Sequence, residues 1–219
     1  MNNVLPEEYV PNFTNERLTI IAEALLTQCY ETDNDLQSEN DSGYSVGCTR
    51  FDRQKNKLKN MSLEYSWLNI SDGSNRLVMN VDGAPFRFTR DDYLSPKKLS
   101  SVKISDTEAI QIESYFVGSQ GAFDWDDDTN CEAETPIKWR FFIDVSESAE
   151  VENERDYEIY FVGMNLSDQP KCIWKLSEHI SGYVAPVDSD KPLPVKSAAA
   201  KTSLPADIIE KLDSDKENE

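Results

Sequence analysis

The run Asp124-Trp125-Asp126-Asp127-Asp128-Thr129-Asn130-Cys131-Glu132-Ala133-Glu134 holds the densest set of chemistry-bearing side chains in the chain. Oxygen ligands at alternate positions are what a calcium loop needs. Asp124, Asp126, Asp128 and Asn130 take the first, third, fifth and seventh places of the helix-loop-helix calcium pattern. Two further places fail. The sixth requires glycine for a sharp turn and holds Thr129. The twelfth requires a bidentate glutamate and holds Thr135. No metal is therefore assigned. The same run suits a contact surface: Trp125 is a large apolar anchor ringed by Asp124, Asp126, Asp127 and Asp128, fitted to a basic protein. The competing reading folds Trp125 into the core and leaves the aspartates solvated.

Other reactive groups are sparse. His179 is the single histidine, so metal sites and facial triads built on two histidines are excluded. It has no Gly-x-Ser-x-Gly elbow to pair with. The cysteines are Cys29, Cys48, Cys131 and Cys172; the closest pair is 19 residues apart, so there is no Cys-x-x-Cys knuckle. Glycine-rich phosphate loops and dinucleotide fingerprints are absent, and no cofactor is expected. The basic stretch Arg50-Phe51-Asp52-Arg53-Gln54-Lys55-Asn56-Lys57-Leu58-Lys59, if extended, could hold a phosphate or nucleic acid locally, although the guarding of a sheet edge is the favoured reading. Arg53, Lys55, Lys57 and Lys59 would then share one face, guarding a sheet edge or balancing the acidic remainder.

Charge sets the classes of partner. The 219 residues carry 22 Lys+Arg and 41 Asp+Glu, a formal net charge of -19. Residues 1–49 carry net -8, residues 50–103 net +5, residues 104–168 net -14 and residues 169–219 net -2. This argues against direct binding to nucleic acid or to an anionic membrane, both of which need Lys and Arg. No apolar run is long enough to span a bilayer. The first eight residues lack the basic and apolar regions of a secretory signal, so a cytoplasmic setting with reduced thiols is expected.

The elements follow from periodicity. Asn15 to Tyr30 is predicted as a helix, capped by Thr14, with Leu18, Ile21, Ala22, Leu25 and Cys29 on one face. Period two then predicts strands at 44–52, 61–70, 76–81, 85–89, 109–117, 137–145, 157–164 and 171–177. Asp72-Gly73 and Asp82-Gly83 mark turns. The architecture predicted is α+β: the N-terminal helix packed on a mainly antiparallel sheet, or partly closed barrel, of about eight strands. Residues 1–184 would form this domain, 185–203 a Pro/Ala/Lys linker, and 204–219 a short amphipathic helix and acidic tail. Leu204, Ile208 and Leu212 form an apolar row on that helix and a second handle for a partner.

The function expected first is a non-catalytic acidic interaction protein. It would bind and inhibit a partner with a basic face, in the manner of a nucleic-acid mimic or an immunity or anti-defence protein. The second is a small-ligand-binding β module, for which a cavity with a few convergent polar groups would speak. The third is an enzyme built on carboxylates.

Overall fold

The structure is a computed structural model, and it describes residues 4–97, 103–120, 136–147 and 155–180. All of these lie in one unit, Met1–Tyr183. A single helical turn, α1 (Pro6–Tyr9), leads into α2 (Asn15–Asp35). The Thr14 hydroxyl caps α2 by accepting from Arg17 N at 3.4 Å, and the predicted stripe of Leu18, Ile21, Ala22, Leu25 and Cys29 is buried. The helix runs past Tyr30 because Thr32 is also buried and returns its hydroxyl to the Gln28 carbonyl at 2.7 Å.

The segment predicted as a strand at 44–52, and much of that at 61–70, instead forms a long helix, α3 (Gly43–Glu64). Ser42 caps it, accepting from Ser45 N at 3.2 Å. Its buried positions are Val46, Arg50, Gln54, Leu58 and Met61, a helical row. Two members of that row are polar, which hides the period from a hydropathy reading. Gln54 is accommodated by donating to the Leu25 carbonyl at 3.1 Å and to Cys29 Sγ at 3.2 Å.

Six strands follow among the described residues: β1 (Leu68–Asp72), β2 (Val78–Val81), β3 (Ala84–Thr89), β4 (Lys138–Glu147), β5 (Arg155–Met164) and β6 (Pro170–Lys175). They form one sheet in sequence order, β1 to β6. The predicted α+β class and mainly antiparallel sheet are found, but as an open mixed sheet of six strands among the described residues rather than about eight; the alternative, a partly closed barrel, is not formed, since β1 and β6 stand at opposite edges. Between β2 and β3 the chain reverses at Asp82 (φ 46°) and Gly83 (φ 92°), the left-handed pair that a tight hairpin demands.

The segment predicted as a strand at 109–117 is a helix, α4 (Asp106–Gln120). It carries the chain between β3 and β4, which therefore pair parallel, with Arg87 opposite Arg140 and Phe88 opposite Phe141. All other strand pairs are antiparallel.

Alternation along β4 separates the two faces. Trp139, Phe141 and Ile143 join α2 and α3 in the main core. There Phe13 packs on Trp139 and Phe161 with ring centroids 5.1 and 5.0 Å away. Gly163 is needed for this packing, because a Cβ there would lie 2.7 Å from the Trp139 ring. Arg140 lies on the opposite face, fully buried, its guanidinium bound to Glu108 of α4. None of the described helices is long and apolar enough to cross a membrane.

Candidate functional site

Strand β3 ends at Thr89, opposite Phe142, whereas β4 runs on to Glu147. The unequal lengths leave a notch beyond the carboxyl end of β3, roofed by the first turns of α3. The notch is a groove of about 970 Å³, the size range of small-molecule sites. Its apolar lining is Phe51, Phe88, Ile143 and Val145; Phe51 and Phe88 are stacked with centroids 5.4 Å apart. The helical wall presents Gly43, Tyr44, Gly47 and Cys48. A Cβ added at Gly43 or Gly47 would meet nothing within 4 Å, so the glycines keep this wall open. Tyr44, at the rim, is 82% exposed.

Four cations line the groove, Arg76, Arg87, Arg90 and Lys97, against three carboxylates, Asp91, Asp92 and Asp144. The carboxylates are engaged with backbone. Asp91 accepts from Asp92 N and Lys97 N at 3.1 Å each, Asp92 from Leu94 N at 2.8 Å, and Asp144 from Val145 N at 2.8 Å. Arg87 is also committed, donating to the Arg76 carbonyl at 3.0 Å and the Lys103 carbonyl at 3.2 Å. Arg76, Arg90 and Lys97 are exposed, and no carboxylate of the described residues forms an ion pair with them. A partly aromatic groove in which cations and carboxylates alternate thus sits in a chain of net charge -19.

Next to it lies a second concentration of positive charge. Arg50, on the buried face of α3, is 2% exposed and donates to the Asp33 carboxylate. The same carboxylate accepts from the Tyr157 hydroxyl and lies 3.5 Å from the Arg155 guanidinium. The Arg50 guanidinium also stands over the Tyr157 ring, 5.4 Å from its centroid. Its Nε and Nη1 are buried with no acceptor. Burial, and then the hydrogen bond to Asp33, push the Tyr157 hydroxyl well above its ordinary range. Partial desolvation, followed by the charge of Arg50, pulls the Arg90 guanidinium below its ordinary value, and Arg155 adds to this.

The structure places the earlier candidates as follows. Asp124, Trp125, Asp126, Asp127 and Asp128 lie outside the described residues, as do Leu204, Ile208, Leu212 and the linker. The basic stretch is helical, so Arg53, Lys55, Lys57 and Lys59 do not share a face as they would on a strand. Arg53 pairs with Asp35 at 2.7 Å, Lys55 lies 3.4 Å from Asp52, and Lys59 donates to the Gly73 carbonyl at 2.9 Å. His179 stacks on Trp174, centroids 5.1 Å apart, which makes it a packing residue. Among the described residues no three metal-ligating side chains are grouped to hold an ion.

The groove itself escapes a reading of spacing, because its cations come from different turns and strands. One signal did point to it: all four belong to the net-positive segment 50–103. No family model, curated protein or solved structure matches the chain.

Proposed function

We propose that this chain is a binding module for a small anionic molecule with an apolar, ring-sized portion. The observation that carries this reading is the groove beyond β3. Arg76, Arg90 and Lys97 surround a lining of Phe51, Phe88, Ile143 and Val145, and no described carboxylate pairs with the three cations. A cavity lined by apolar side chains with a few convergent polar groups is the usual form of a ligand site. The aromatic surface would take the apolar part and the cations would orient the charge. The test is a comparison of benzoate with benzamide, which differ mainly in charge, by thermal shift at low salt. Benzoate should stabilise the chain and benzamide should not. Double replacement of Arg76 and Lys97 by Ala should remove most of the difference. Equal shifts for the two compounds would defeat the reading.

A second reading rests on the charge outside the groove. Glu16, Glu23 and Glu31 line the exposed side of α2, and the net charge of -19 leaves a surface attractive to a basic protein partner. In that reading Trp125 and its flanking aspartates, with Leu204, Ile208 and Leu212, would supply the contacts. Salt-sensitive co-purification of one basic protein would favour it.

A further inference from the structure

We propose that the groove takes the carboxyl end of an extended peptide, which adds to the free edge of β4 as a strand and places an aromatic last residue beneath α3. This rests on the groove reading above and names the class of its ligand. Strand β4 pairs with β5 along its whole length, Lys138–Glu147. On its other side β3 reaches only as far as Phe142, through Thr89. Residues 143–147 of β4 therefore have a strand on one side and, among the described residues, none on the other. At the rise of a strand this open edge is about 16 Å long. The amide of Val145 has turned to a local acceptor, the Asp144 carboxylate of its own strand, at 2.8 Å. Such a bond competes with a ladder bond and is exchangeable for one. An unpaired edge of this kind is a template for a further strand.

The lining of the groove sets the chemistry and direction of that strand. Its unpaired cations collect where β3 stops. Arg90 is the residue after β3, the carbonyl of Arg76 accepts from Arg87 of β3 at 3.0 Å, and the amide of Lys97 donates to Asp91 at 3.1 Å. None of these three side chains forms an ion pair with a carboxylate of the described residues. A peptide laid beside β4 must begin or end there, because β3 occupies the rest of the edge. Cations at that point select a carboxylate end over an ammonium end. The peptide then runs antiparallel to β4, with its C-terminus next to Arg90. Alternation turns every second side chain of the added strand to the face of Ile143 and Val145. On that face Phe51 and Phe88 are stacked 5.4 Å apart, and Gly47 leaves the helical wall open. An aromatic last residue fits this space, and its ring and carboxylate are the apolar portion and the charge of the groove ligand.

The experiment is isothermal titration of the full chain at low salt with three probes: acetyl-Thr-Val-Thr-Val-Phe with a free carboxylate, the same peptide as its carboxamide, and benzoate. The acid should bind, and the carboxamide should bind about tenfold or more weaker, the loss of one charge-assisted contact. Arg90→Met combined with Lys97→Met, both at exposed positions, should close most of that gap. N-methylation of the acid peptide, one amide at a time, reads the strand itself and needs no protein variant. Alternate amides would face β4, so blocking every second one should weaken binding about three- to tenfold, and blocking those between should not. Losses that are uniform along the peptide, or no losses, would overturn the added strand. Equal affinity of acid and carboxamide would overturn the carboxyl end. Benzoate binding without binding of either peptide would overturn the proposal and leave the groove reading standing. Absence of binding by all three would overturn both. Dimerisation of the chain that shuts out every peptide would also overturn the proposal, and would seat a second copy along β4.

Discussion

Replacing Glu108 with Gln is the sharpest perturbation of the fold that carries the groove. Glu108 sits in the first turn of α4 and is fully buried. Its carboxylate accepts from both terminal nitrogens of Arg140, from Nη2 at 2.9 Å, and lies 3.7 Å from the Arg87 guanidinium. Both side chains of the Glu108–Arg140 pair are at most 1% exposed. Burial pulls the Arg140 guanidinium below its ordinary value and Glu108 pulls it back. Glutamine keeps the shape and removes the negative charge that faces the buried Arg140 guanidinium. Breaking such a pair from one side costs about 3–5 kcal/mol. A domain of this size has about 5–15 kcal/mol in total, so the melting temperature should fall by about 6–20 °C. The control is Asp82→Asn, which breaks the exposed Arg17–Asp82 pair at 2.8 Å; it should cost less than about 1 kcal/mol. The double replacement Glu108→Leu with Arg140→Met removes both charges and should recover most of the loss. Urea unfolding with an unchanged slope reads all three variants. A loss below about 1 kcal/mol for Glu108→Gln would refute the argument. So would a double variant as unstable as the single one.

Three further outcomes are expected. Burial pushes the Cys29 and Cys172 thiols from 9.0 up to about 12. The folded chain thus keeps protons that the unfolded chain releases. Stability should be full below pH 9 and fall towards pH 12, by about 1.4 kcal/mol per thiol per pH unit. Urea midpoints measured across that range should flatten when both cysteines are replaced by Ala. Gly83→Ala should cost about 1 kcal/mol or more, because Gly83 holds φ at 92° in the β2–β3 turn; an unchanged melting temperature would contradict the assigned turn. If the acidic surface binds a basic partner, Trp125→Ala and deletion of residues 186–219 should each weaken co-purification at low salt; unchanged recovery in both would remove those contacts.

The elements legible in the sequence are those that bury one apolar face at a regular period. Helix α2 shows an unbroken stripe and a good cap. β4 and β5 show it in Trp139, Phe141 and Ile143 and in Ile159 and Phe161. The two missed helices fail for one physical reason. On α3 the inward row is interrupted by Arg50 and Gln54, and on α4 the buried Glu108 and the 60% exposed Ile110 invert the expected order. Both helices did carry a start signal. Ser42 caps α3. Ser105 and Glu108 form a reciprocal capping box, with Glu108 N donating to Ser105 Oγ at 3.3 Å and Ser105 N to Glu108 Oε2 at 3.4 Å. Missing α4 also hid the parallel pairing of β3 with β4, and with it the notch. Arg50 breaks the stripe of α3 because it belongs to the buried charged cluster with Asp33.

The most direct test of the groove as a ligand site is Gly47→Leu. Gly47 lies inside α3, where glycine costs about 1 kcal/mol relative to a good helix former. An added Cβ there would meet nothing within 4 Å, so leucine should project into the groove without strain. Anilinonaphthalene sulfonate, an anionic aromatic fluorophore, should bind the native chain and brighten, and should lose most of that signal in Gly47→Leu while the variant melts no lower than the native chain. Equal fluorescence from the two well-folded proteins would contradict the account.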